Sequence, residues 1–316
     1  MRAVLDIGSN TVRLLVARVQ DGRVERVLDQ SEFVRLGRDV DRTGFLQPDR
    51  EDAALRAIEK LATTARDRGA NSIEAIATSA VREARNGKAF VERVRRETGL
   101  DVRIISGERE AYLTFLGATA GVSLEGGAIV ADLGGGSTEV IAADENGVLW
   151  ARSLALGSGR LTERYIRHDP PTGEDLAAVD AAVRDALAKL PHPTRQRQRL
   201  IHGTRAAREI LVGTESGGSI RRAIFTGGTA SALARLAGRD AFGPGEMQAV
   251  IDLVSSRPSA EIAADYGVQP QRATVLAAGI AALATIAAYY QAREITITHG
   301  GIREGALLAV AGEEPA

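Results

Sequence analysis

Two short stretches of this chain follow one template. AVLDIGSNT begins at Ala3 and IVADLGGGST at Ile129, and each is an apolar run ending in Asp, then a glycine-rich turn carrying a hydroxyl residue, then a second apolar run. The two aspartates, Asp6 and Asp132, lie 126 positions apart. A strand–turn–strand unit that recurs at this spacing, with the strand pattern continuing on both sides, implies two similar domains facing one cleft. The 316 residues suffice for two ordinary domains, each with its own core.

The remaining punctuation fits an α/β chain. A third strand is expected over RVERVLDQSEFVRLG after the Asp21-Gly22 turn, then a helix from Pro48 to Arg68, with Pro near its start and Gly69 past its end. A strand IEAIATS, a helix from Lys88 to Thr98 stopped by Gly99, a strand DVRIISG and a helix from Glu108 to Ala118 follow. After the second hairpin a helix is expected from Thr172 to Leu190, and a strand from Arg222 to Thr226 feeding a turn at Gly227-Gly228. Helices then run to Tyr290, followed by a strand EITITHGG and a closing helix from Ile302 to Val310. Val275 to Tyr290 is the longest apolar run. It is short for a membrane span and rich in Ala, so a buried helix is expected.

Composition narrows the chemistry. No cysteine is present, which removes thiolate catalysis, disulfides and cysteine metal sites. The net charge of −1 gives no bulk attraction for polyanions, so an anion site must be local, and neither a nucleic-acid nor a membrane partner is expected. Met1 leads straight into a strand with no leader-like pattern, from which a cytoplasmic protein is expected.

Three glycine turns follow strands: Gly8-Ser9-Asn10-Thr11, Gly134-Gly135-Gly136-Ser137-Thr138 and Gly227-Gly228-Thr229. Glycines let backbone N–H groups close on an oxyanion, and Ser and Thr add hydroxyl donors, so the set reads as phosphate cradles. None is a P-loop or a dinucleotide fingerprint. Asp132 and Glu139 flank the second turn and a hairpin brings them together. Mg²⁺ takes one or two carboxylates, waters and phosphate oxygens, a need this pair meets; the alternative is a turn-capping Asp and a solvated Glu. The helix after Ser106 opens with Glu108 and Glu110, either of which would sit near the positive end of the helix dipole as a carboxylate base.

These residues, with ATSAVREARNG from Ala77, ISGEREAYLTFLG from Ile105, DLGGGSTEV from Asp132, SLALGSGRLTERY from Ser153, FTGGTASALA from Phe225 and HGGIREGALL from His299, resemble the exopolyphosphatase/guanosine pentaphosphate phosphohydrolase family across nearly the whole chain. The resemblance implies an α/β fold of two actin-like (ribonuclease H-like) domains around a central cleft. Residues 1–116 plus 300–316 would form the first domain and 117–299 the second. It implies that Glu110, and not Glu108, is the base for an attacking water. It places Arg82 on the scissile phosphate, Mg²⁺ on Asp132 and Glu139, and Gly134 and Ser137 in the phosphate loop. The implied reaction removes the terminal phosphate of inorganic polyphosphate. Guanosine pentaphosphate is the alternative substrate within the family; a kinase of the same fold and a silent polyphosphate or alarmone binder are the rivals outside it. A homodimer is the assembly that the resemblance suggests. Pro191 to Arg222 departs from the family pattern. Its arginines (195, 197, 199, 205, 208, 221 and 222) face only Glu209 and Glu215, as a polyanion track or a solvated face. His168-Asp169 reads as a turn, and His299 as a structural hydrogen-bonding residue.

Overall fold

A computed structural model describes residues 1–191 and 220–313; the Arg-rich stretch lies mostly outside them. β1 (Arg2–Ile7), β2 (Thr11–Gln20) and β3 (Arg23–Phe33) form the opening meander. Asp21 and Gly22 connect β2 to β3 with φ of 51° and 68°, the paired left-handed conformation that suits a two-residue hairpin. β3 ends at Phe33, four residues earlier than its alternating pattern suggests. Val34 and Arg35 donate to Asn10 O (2.8 and 2.9 Å) and Gly37 donates to Ser9 O (2.8 Å), so this segment braces the first glycine turn instead of extending the ladder. A short helix, α1 (Val40–Thr43), and α2 (Pro48–Asp67) follow, the latter burying Leu55, Ile58, Leu61 and Ala65 at helical spacing.

β4 (Ser72–Ala77) ends two residues before the expected limit because Ser79 already opens α3 (Ser79–Glu83). α4 (Gly87–Thr98) closes on Gly99 at φ 73°; β5 (Val102–Ile104) and α5 (Gly107–Thr119) follow. The Ser106 side chain caps α5 by accepting from Arg109 N at 3.2 Å. The sheet order is β3-β2-β1-β4-β5.

The second sheet contains β6 (Ala128–Leu133), β7 (Thr138–Asp144) and β8 (Gly147–Leu154). After α6 (Ser158–Tyr165) and α7 (Gly173–Leu187) comes β9 (Arg222–Thr226). Gly227-Gly228 is not a free turn: Gly227 is the first residue of α8 (Gly227–Ala237). A two-residue strand, β10 (Ala241–Phe242), interrupts the expected helical run. Then come α9 (Pro244–Ser256), α10 (Ser259–Tyr266), α11 (Pro270–Ala273), α12 (Leu276–Tyr289), β11 (Glu294–Ile297) and α13 (Ile302–Glu313). The order is β10-β11-β9-β6-β7-β8, so β8-β7-β6-β9-β11 repeats the first sheet strand for strand. Each meander even carries a bulge at the same place, Val16/Ala17 in one and Ala142/Ala143 in the other. α12 is almost wholly buried, and among the described residues no helix is long and apolar enough to cross a membrane.

The chain divides into two compact units. One comprises Met1–Ala120, Gly134–Gly136 and the residues from Gly300 on; the other comprises Gly121–Leu133 and Ser137–His299. In the first, α13 is pinned by charge: Arg303 donates to both carboxylate oxygens of Asp29 (2.6 and 2.9 Å) and to Leu14 O, while Glu304 accepts from Gly301 N and pairs with Arg26 (2.8 Å). α13 packs directly on α5: a Cβ at Gly305 would lie 1.8 Å from Leu113 O. Gly305→Ala is therefore expected to destabilise by about 3 kcal/mol, since a backbone carbonyl cannot yield as a side chain can; a lowered urea midpoint checks this.

In the second unit Thr172 and Asp175 make a reciprocal capping box on α7. Asp175 also accepts from Arg167 N and from His168 Nδ1 (3.0 Å), and Asp169 accepts from Ser259 N and Oγ, so the His168-Asp169 pair holds a helix entry. Although its burial opposes ionisation, hydrogen bonds from the Thr172 and Arg167 backbone and from His168 draw the Asp175 carboxyl down to about 2. A depressed folded-state value stabilises the fold above the unfolded value near 4 and is lost as pH falls towards 2. Asp175→Asn should flatten the dependence of Tm on pH between about 4 and 2; an unchanged acid limb would contradict this.

Candidate active site

In the first unit, β1 delivers the chain into the Gly8–Asn10 turn, where Gly8 N donates to Thr11 O at 3.1 Å. Ser9 and Thr11 are buried, and Ser9 Oγ lies 2.9 Å from Ser79 Oγ at the start of α3. One helical turn places Arg82 on the same short helix. Its Nη1 donates to Glu110 Oε2 at 2.8 Å and to Ile105 O at 3.0 Å. Arg82 and Glu110, 28 positions apart, thus form a half-buried ion pair. Glu110 is 6 % exposed in the first turn of α5, whereas Glu108 faces solvent. The two glutamates are thus separated by environment as well as by helical direction. Among the described residues Arg82 meets Glu110 through Nη1, a geometry in which Nη2 and Nε of its planar fork can still serve an oxyanion.

In the second unit, Asp132 and Glu139 are directly opposed across the β6–β7 ladder and both are buried. Directly opposed residues project to one face with Cβ atoms about 5 Å apart. Ser153 continues the row on β8, and its hydroxyl donates to Glu139 Oε1 at 2.7 Å. The repeat sharpens the meaning of this pair. At the same register in the first unit stand Asp6 and Arg13, a salt-bridged couple at 3.6 Å, with burial pushing the Asp6 carboxyl up. Where the first repeat sets Asp6 beside Arg13, the second sets two buried carboxylates side by side, a hard-oxygen pair suited to a divalent ion. Among the described residues no larger cluster of metal-ligating side chains occurs.

Gly134 to Gly136 form the second turn, after which Ser137 and Thr138 are buried and Thr138 Oγ1 bonds Leu156 O. Gly227 has φ +88°, and a Cβ there would meet Asp132 Oδ1 at 2.1 Å, so the start of α8 lies against the acidic pair. A Cβ at Gly228 would lie 2.0 Å from Arg272 Nη1, which places a guanidinium over the same helix start. Arg272, Ser79 and Ser153 are site residues that sequence reasoning missed. Nothing in their local pattern marks them, since each meets its partner through the fold. His299 lies 3.5 Å from Asp240 within the second unit.

The model of the Ppx/GppA phosphatase family matches residues 15–314. Exopolyphosphatase 1 of Mycobacterium tuberculosis is 38% identical over 170 residues, covering 53% of this chain and 49% of that protein. A guanosine-5'-triphosphate,3'-diphosphate pyrophosphatase of Pseudoalteromonas atlantica is 30% identical over 181 residues, covering 57% of this chain and 36% of that protein. The matches thus span about half the length, or less, of these curated relatives. Among solved structures, the Aquifex aeolicus Ppx/GppA protein superposes with a TM-score of 0.74 at 28% identity, covering 99% of this chain and 98% of that one. An exopolyphosphatase from Cytophaga hutchinsonii, 23% identical over 99% of this chain and 98% of that one, shares the fold with a TM-score of 0.83. With a family model matched over almost its entire length and an α/β architecture duplicated strand for strand, this chain belongs to the Ppx/GppA phosphatase family.

Proposed function

We propose that the chain is a cytoplasmic Mg²⁺-dependent exopolyphosphatase, hydrolysing the terminal phosphoanhydride of inorganic polyphosphate. The observation that carries this reading is the buried Glu110 carboxylate, held by Arg82 at 2.8 Å in the first turn of α5. The helix start favours the charged carboxylate that a base requires. Glu110 takes the proton of a water attacking the terminal phosphorus, the bridging P–O bond breaks, and the shortened chain leaves with its electron pair. Arg82 orients the base and presents its remaining N–H groups to the phosphoryl oxygens as charge builds on them. Backbone N–H groups and hydroxyls of the glycine turns hold the phosphates. Asp132 and Glu139 would hold Mg²⁺, which offsets phosphate charge when bound.

Guanosine pentaphosphate is the second reading, supported by the resemblance to the Pseudoalteromonas protein and by chemistry that would be identical at the scissile bond. Orthophosphate release from polyphosphate, guanosine pentaphosphate and ATP, assayed in parallel with Mg²⁺ and with EDTA, separates the readings. Polyphosphate is expected to give the highest kcat/KM. Release from ATP alone would overturn both readings.

A further inference from the structure

Residues 33–45 of the first unit carry a feature that the hydrolytic reading leaves unused. Among the described residues four non-glycine residues have positive φ: Asp21, Arg35, Asp39 and Gln291. Asp21 belongs to a hairpin turn and Gln291 follows the end of α12, both places where the left-handed region is ordinary. The other two, Arg35 at 53° and Asp39 at 63°, fall within one loop. Asp39 precedes α1, but Arg35 is neither in a hairpin turn nor at a helix end, and its bulky side chain makes the conformation strained. Strain of this kind persists where the surroundings impose it, and it clusters at binding sites. Here the imposition is visible: Val34 and Arg35 both donate to Asn10 O and Gly37 donates to Ser9 O, fastening the loop to the first phosphate turn.

At each end of this loop an arginine rests against an aromatic ring, one from the loop itself and one from the segment after α3. The Arg35 guanidinium lies 5.8 Å from the centre of the Phe33 ring, and that of Arg85 lies 5.6 Å from the exposed Phe45 ring. Arg38 and Arg42 are exposed between them, both paired with Asp39, and Arg85 N donates to Gly44 O. Asp39 and the exposed Asp41 are the carboxylates of the loop itself, and Glu83 is the exposed acid near Arg85. Three of these guanidinium groups belong to the loop that is fastened by its backbone to the first turn, and the fourth, Arg85, joins it from beyond α3 through Phe45 and Gly44. Guanidinium forks match phosphate oxygens two at a time, and a stacked, backbone-fixed arginine loses little freedom on binding.

We propose that Arg35, Arg38, Arg42 and Arg85 form a second binding region for linear polyphosphate, taking phosphates behind the terminal one. The inference rests on the hydrolytic reading above. A long phosphate chain is a ligand whose repeating charge suits several arginines gathered on and against one loop that is fastened to that turn.

Equilibrium binding of end-labelled long-chain polyphosphate and of tripolyphosphate to the E110Q chain, in EDTA and across salt concentrations, tests it. Arg35→Gly removes the guanidinium while easing the left-handed backbone, and R38Q/R42Q alters exposed side chains only. Each is expected to weaken long-chain binding about 5–10-fold and to lower the slope of log Kd against log salt by about one per arginine removed, through lost counterion release. Tripolyphosphate should shift less than 2-fold with R38Q/R42Q. Melting temperatures at or above the parent's exclude a folding defect. Unchanged long-chain affinity and slope would overturn the proposal, as would equal losses for both ligands with R38Q/R42Q. A parent that binds neither ligand would sink the polyphosphate reading as well, whereas a parent that binds and variants that match it would sink only the arginine region.

Discussion

Glu110→Gln is expected to lower kcat by about 10²–10⁴, with a much smaller change in KM. The substitution keeps shape and the acceptor for Arg82, but removes the capacity to take a proton. Glu108, two positions earlier and facing solvent, is the internal control: Glu108→Gln should stay within about 2-fold of the parent, in keeping with an exposed substitution away from the chemistry. Arg82→Lys should fall between them, because one ammonium replaces the fork that donates to Glu110 and to Ile105 O. Steady-state kinetics on the three variants decides the assignment; equal losses from both glutamate changes would refute it.

The acidic pair carries the second large effect. Asp132→Asn and Glu139→Gln each remove one of two opposed buried carboxylates. A Mg²⁺ ion held there by few protein ligands would depend on each of them. Each variant is expected to raise the Mg²⁺ concentration for half-maximal activity by at least about 10-fold, and to weaken Mn²⁺ binding seen by electron paramagnetic resonance in the absence of substrate. Ser153→Ala, which frees Glu139 Oε1 from its donor, should produce a milder loss of the same kind. Full activity in EDTA with unchanged Mn²⁺ binding would remove the metal from the account.

What could be read in the sequence depended on how far apart interacting residues lie along the chain. Asp132 and Glu139 flank a short turn between two apolar runs, so antiparallel pairing alone sets them opposite one another. The doubled topology followed from the two matching hairpins for the same reason: strand, turn and strand are local patterns. The end of β3 was not legible, because Val34 and Leu36 continue its alternation while the backbone N–H groups turn to Asn10 and Ser9. Gly227-Gly228 looks like a turn from its residues, and only the Thr226-to-α8 junction, with Asp132 pressed against Gly227, shows a helix start. β10 is too short to carry any periodicity. Arg272 meets Gly228 across 44 positions, and Arg82 meets Glu110 across 28; no spacing rule announces either.

Time-resolved ³¹P spectroscopy of long-chain polyphosphate with the intact protein and Mg²⁺ addresses the central claim most directly. Removal of terminal phosphates predicts orthophosphate as the released species from the first time points, with no burst of new chain ends, and loss of that signal with E110Q. A rise in end-group phosphorus without matching orthophosphate, or release that persists undiminished with E110Q, would contradict it.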